Sequence, residues 1–184
     1  MGNTEILRRG DIQLTSAGTG ISHSEKAHGP KQVHFLQIWS LPSTLKLQPK
    51  YFTRHFSDEE KTDKWVRVVA PVDADGVLPV REGKGPAPVQ SPLTLYATIL
   101  GQNKSLNRSF AGKKGYMHVV QTSGYNEGQS QGASIKIASG GEELTLGEGD
   151  GAYILVENGV NFVNLLEVEN VGDRAAEVLV FDLD

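Results

Sequence analysis

The chain contains no cysteine. That excludes disulfides, zinc–thiolate sites, iron–sulfur clusters and thiol nucleophiles, so any metal must rest on histidine and carboxylate ligands. No apolar run is long enough to span a bilayer. The opening "MGNTEILRRG" is polar and lacks the apolar core of a signal peptide. Ile6 stands where a myristoylation pattern requires Ser or Thr. Excess charge is also missing: 18 Lys and Arg against 22 Asp and Glu give a formal net charge of −4. That balance implies no general attraction to nucleic acid or to a membrane surface. The basic cluster of Lys104, Arg108, Lys113 and Lys114 reads as solvated loop charge. The sequons at Asn103 and Asn107 have no secretory signal beside them. A cytoplasmic protein is expected. Nuclear entry stays open, because "LRRG" and "GKKG" are too short to count as localisation signals.

Helical signals are thin as well. "SDEEKTDKW", from Ser57 to Trp65, has an N-cap residue followed by acids and predicts one or two helical turns. What the sequence does have is 21 glycines, 8 prolines and many short apolar segments between turn clusters. These predict strands at Asp11–Thr15, Ile21–Glu25, Val33–Ser40, Trp65–Ala70, Leu93–Leu100 and Ser105–Phe110. Further strands are predicted at Gly115–Gln121, Ala133–Ala138, Glu143–Leu146, Ala152–Val156, Asn161–Val168 and Ala175–Asp182. Many short strands at close spacing indicate an all-β sandwich or barrel. The proline-rich stretch Gly83–Pro92 reads as an extended connection between two units.

An internal repeat points to two units. "EILRRGDIQL" resembles "ELTLGEGDGAYIL", with Gly10-Asp11 falling on Gly149-Asp150. Glycine permits the positive φ of such a turn, and the aspartate bonds nearby backbone amides, so both pairs read as structural. In the same register His23 falls on Phe162, Glu25 on Asn164 and Gly20 on Gly159. The late copy has a run of predicted strands, from Leu93 to Leu146, ahead of its Gly-Asp turn, whereas nine residues precede Gly10. If both copies share a fold, the first lacks its front half.

The segment "SAGTGISHSE" carries the candidate chemistry. Residues i and i+2 of a strand face the same side, so His23 and Glu25 would point together. Imidazole with carboxylate suits non-haem iron, and also manganese, nickel or copper. A surface His–Glu pair is the alternative, and on spacing alone the commoner one.

"GDIQLTSAGTGISHSE", followed by "HFLQIWSLP" and "PKYFTRHF", resembles the pirin family of bicupins. "GYMHVVQTSG", "LTLGEGDGAYIL" and "AEVLVFDLD" resemble the second cupin of quercetinase-type pirins. The resemblance implies two antiparallel cupin (jelly-roll) β-barrels, with a partial N-terminal barrel over residues 1–60 and a complete C-terminal one over 61–184. It implies one divalent metal, usually iron, on three histidines and a glutamate. His23 and Glu25 match the last two ligands, with Glu25 also the expected base for a flavonol hydroxyl. The other two ligands belong to a His-x-His motif, and this sequence has none. The "MGN" start resembles the turn just after that motif, so a family member beginning at an internal methionine is expected.

The resemblance implies either quercetin 2,3-dioxygenase-type chemistry on a flavonol-like molecule or a metal-dependent partnership with transcription regulators. With the metal site incomplete, whether the chain is an enzyme stays open. The remaining histidines, His28, His34, His55 and His118, read as structural or surface residues, His28 being the best substitute ligand. A half barrel would also expose sheet edges, and such edges favour a homodimer or another protein partner.

Overall fold

Burial alternates along the strands and divides the chain into layers. The computed structural model describes residues 4–124, 128–156 and 165–184. In chain order its elements are β1 (Asp11–Ser16), β2 (Lys50–His55), α1 (Asp58–Lys61), β3 (Val66–Pro71), β4 (Ala87–Val89), β5 (Leu93–Leu100) and β6 (Ser105–Ser109). There follow β7 (Lys114–Val119), β8 (Ser134–Ser139), β9 (Glu142–Gly147), β10 (Gly151–Leu155), β11 (Leu165–Asn170) and β12 (Ala176–Leu183). The chain is all-β, as expected. Among the described residues the one helix is a single turn closed by a capping box, in which Ser57 Oγ accepts from Glu60 N and Glu60 accepts from Ser57 N.

A six-stranded sheet, ordered β10-β7-β12-β5-β3-β4, faces a four-stranded sheet, ordered β6-β11-β8-β9. Between them lies a core that includes Leu100, Met117, Val119, Ile135, Val168, Val178 and Val180. This pair of sheets is the cupin barrel. The other face of the six-stranded sheet is covered by the two-stranded sheet of β1 and β2. There Ile12 and Leu14 pack with Phe56, Val69, Leu95, Leu179 and Phe181. Hence β5 and β12 contribute side chains to both cores. In β12, Val178 and Val180 point into the barrel, while Leu179 and Phe181 point to the outer layer.

The repeat is visible as geometry. Arg8 N donates to Asp11 Oδ2 at 2.7 Å, and Gly147 N donates to Asp150 Oδ2 at 2.9 Å. The backbone closes the same turn in both places, through Asp11 N to Arg8 O and Asp150 N to Gly147 O, each 3.0 Å. Gly10 and Gly149 have φ of 85° and 86°, a region that glycine enters without strain. Each turn then feeds a strand, β1 in the first copy and β10 in the second. The counterparts of His23, Glu25 and Gly20, namely Phe162, Asn164 and Gly159, lie outside the described residues.

Several expectations need correction. Ile21–Glu25 and Val33–Ser40 are not strands. A strand is defined by its neighbour, and among the described residues no backbone–backbone hydrogen bond joins residues 21–42 to anything. Conversely, β2 and β4 were not predicted. Phe52 and Arg54 are both buried in β2, but lysine, arginine and histidine around them disguise the alternation. Gly83–Pro92 is not only a connection, because Ala87–Val89 within it pairs in parallel with β3.

Candidate metal centre

β1 ends at Ser16, and the chain turns through "AGTG", where Gly20 N donates to Ala17 O at 2.8 Å. Thr19 N donates to Leu47 O at 3.0 Å and ties the turn to the approach of β2. Beyond this anchor, His23 and Glu25 stand on irregular backbone. Their side chains still share one side, with His23 Nε2 3.9 Å from Glu25 Oε1. The i, i+2 spacing thus brings the two together without a ladder. Both side chains are about two-fifths exposed, at 44% and 40%.

A non-haem metal centre needs three or four protein ligands. Among the described residues no group of three or more His, Asp or Glu side chains is placed to hold a metal ion. The residues present therefore supply a bidentate fragment and do not by themselves fit a resident metal. The other histidines are engaged elsewhere or stand apart. His55 Nδ1 lies 2.6 Å from Asp11 Oδ1. His34 Nδ1 donates to Gln121 O at 3.0 Å. His118 sits on β7, where burial pushes its pKa down against an opposing hydrogen bond with the Asp150 backbone. His28 is exposed and does not join the pair in a group of three ligands.

One cluster beside the pair escaped the sequence reading. Tyr51 donates to Glu5 Oε2 at 2.8 Å, and Arg81 pairs with the same carboxylate while its guanidinium lies 5.6 Å from the Tyr51 ring centre. Burial and the Glu5 carboxylate push the Tyr51 phenol up to about 12, and Glu25 is near enough to add to the effect. Tyr51 and Glu5 are 46 residues apart, so no local spacing signals this cluster. A cleft of about 420 Å³ opens beside β2, lined by Glu5, Asp11, His55 and Glu82 among others; neither His23 nor Glu25 lines it.

Known proteins are similar to this chain in sequence and in overall fold. The pirin family model matches residues 1–40, the segment that holds the pair. A quercetin 2,3-dioxygenase of Escherichia coli K12 is 30% identical over 123 residues, covering 66% of this chain and 48% of that one. The chain spans about half the length of such a curated relative. The crystal structure of YhhW from Escherichia coli superposes with a TM-score of 0.67 at 21% identity, covering all of this chain and 64% of that one. A second structure, of bacterial pirin YhhW in complex with nickel(II), gives a TM-score of 0.51 at 21% identity over 77% of this chain and 47% of that one.

Proposed function

We propose a function that proceeds from membership: the chain is a cupin of the pirin family, and His23 and Glu25 are its contribution to a pirin-type divalent-metal centre. The observation that carries this reading is the pairing itself. An imidazole and a carboxylate lie 3.9 Å apart, on one side of the chain, within the segment that matches the family model. An iron or nickel ion is the chemically apt guest, since imidazole and carboxylate both suit such ions. Nickel is also the metal bound in the pirin YhhW structure.

Two side chains, the pair found among the described residues, are too few for a resident ion. The chain as it stands binds a divalent cation weakly and exchangeably, and it does not open flavonols. Quercetin 2,3-dioxygenase-type chemistry belongs to a site with more ligands than these, with Glu25 as ligand and as base for the substrate hydroxyl. The test is nickel(II) titration of the purified chain by calorimetry, run beside a quercetin-consumption assay. Weak binding that His23→Ala removes, with no flavonol turnover, is the expected result. Stoichiometric metal retained through desalting, together with quercetin consumption, would overturn it.

A further inference from the structure

Residues 21–33, "ISHSEKAHGPKQV", lead from β1 to the stretch that docks on the barrel. Among the described residues, no hydrogen bond reaches any of them, and their side chains form a single ion pair, His23 with Glu25. Ser22 through Val33 are all exposed. The stretch is anchored only at its ends, by Thr19 N to Leu47 O at 3.0 Å and by His34 Nδ1 to Gln121 O at 3.0 Å. It holds two basic residues, Lys26 and Lys31. Lysines on other loops sit on backbone that is turned or bonded. Lys46 has φ of 57° and precedes Leu47, whose carbonyl is taken by Thr19. Lys84 precedes Gly85, with φ of 77°, in a connection that Arg54 ties through the carbonyls of Leu78, Val80 and Arg81. Lys104 donates its amide to Gly101 O and accepts from Asn170 N, and Lys113 O accepts from Val156 N. An endopeptidase takes its substrate as extended, unbonded backbone, so each of these other sites must first open locally, and that cost slows the cut. At residues 21–33 there is no such cost, and exposed loops of this kind are where nicking concentrates.

We propose that residues 21–33 are a processing site for an endopeptidase that cuts after lysine, and that the cut chain stays together as a two-piece protein. Water adds across the Lys26–Ala27 or Lys31–Gln32 bond. Its oxygen goes to the lysine carbonyl carbon, the C–N bond breaks, and Ala27 or Gln32 leaves as a new amino terminus. What fixes the N-terminal piece lies upstream of Lys26, and its partners lie downstream of Lys31. β1 keeps its antiparallel ladder to β2, from Asp11 opposite His55 to Ser16 opposite Lys50. Ile12 and Leu14 stay packed in the outer apolar layer. Arg9 reaches Asp58 at 2.8 Å and also pairs with Glu177. Gly10 O accepts from Phe56 N at 2.9 Å, and Glu5 accepts from Tyr51 at 2.8 Å. The cut removes none of these contacts, because the cleaved backbone takes part in none of them.

Trypsin is the apt probe, because residues 1–3, 125–127 and 157–164, which lie outside the described residues, contain no Lys or Arg. Limited digestion of the whole chain, followed by mass spectrometry, is expected to give first cuts after Lys26 and Lys31. The two pieces are expected to elute together from gel filtration at the volume of the uncut chain, and to separate only in denaturant. The variant carrying both Lys26→Gln and Lys31→Gln is expected to lose its first cut roughly tenfold more slowly, since the next sites open only by local unfolding. Both side chains are exposed, so its circular dichroism is expected to match wild type. A first cut elsewhere, an unchanged rate in the double variant, or pieces that elute apart without denaturant would overturn the proposal. No readout involves metal, so this proposal and the metal reading fail separately.

Discussion

Glu148 is a buried, hydrogen-bonded carboxylate of the second barrel, and its removal has a magnitude that can be worked out. The residue is 2% exposed and stands just before the Gly149-Asp150 turn. Burial alone would raise its pKa from 4.5, but hydrogen bonds from Ser123, Thr122 and Ala133 outweigh burial and bring it down to about 2. The donors are Thr122 N and Ser123 N to Oε2, at 3.1 and 2.9 Å, and Thr122 Oγ1 and Ala133 N to Oε1, at 2.8 and 3.1 Å. A fall of that size corresponds to about 3 kcal/mol, and nearer 2 after discounting for solvent near the loop. A carboxylate with a depressed folded pKa contributes its stability fully above the unfolded value of 4.5, and loses it as pH falls toward 2. In Glu148→Gln the amide nitrogen has to face a backbone donor, so the loss is present at neutral pH. Urea unfolding followed by circular dichroism is expected to show Glu148→Gln less stable by about 2–3 kcal/mol near pH 7. The gap between variant and wild type is expected to shrink by more than half near pH 3. A variant within about 0.5 kcal/mol of wild type near pH 7, or a gap that does not change with pH, would refute the reasoning.

The paired Gly-Asp turns predict an asymmetry. A Cβ at Gly10 would meet Phe56 O at 2.3 Å, whereas at Gly149 it meets only the Gln121 side-chain oxygen at 3.5 Å. Gly149→Ala is therefore expected to cost about 1–2 kcal/mol for its positive φ, and Gly10→Ala distinctly more; equal melting temperatures would contradict this. In the barrel core, Met117→Ala is expected to cost about 2–5 kcal/mol, because the side chain is fully buried. Leu155→Ala, 77% exposed at the end of the edge strand β10, is expected to stay within about 0.5 kcal/mol, as thermal unfolding of the two would show.

Much of the fold was legible because periodicity is local. β5 was predicted at its observed bounds, and β7, β8, β9, β10 and β12 within a residue or two, since each alternates against a core it can reach. The Gly-Asp repeat was legible for a related reason: the turn needs a positive φ and a nearby acceptor, and both requirements are written into two residues. β2 failed the same test, because buried Arg54 looks like a surface residue in sequence. Its guanidinium is spent on carbonyls of Thr53, Leu78, Val80 and Arg81, at 2.6–3.2 Å, and those partners lie up to 27 residues away. The two false strands fail in the opposite sense. Residues 21–25 and 33–40 have strand composition, and composition does not supply a neighbour. Of the candidate site, the approach of His23 to Glu25 was readable from spacing, whereas the Glu5–Tyr51–Arg81 cluster beside it depends wholly on how β2 returns.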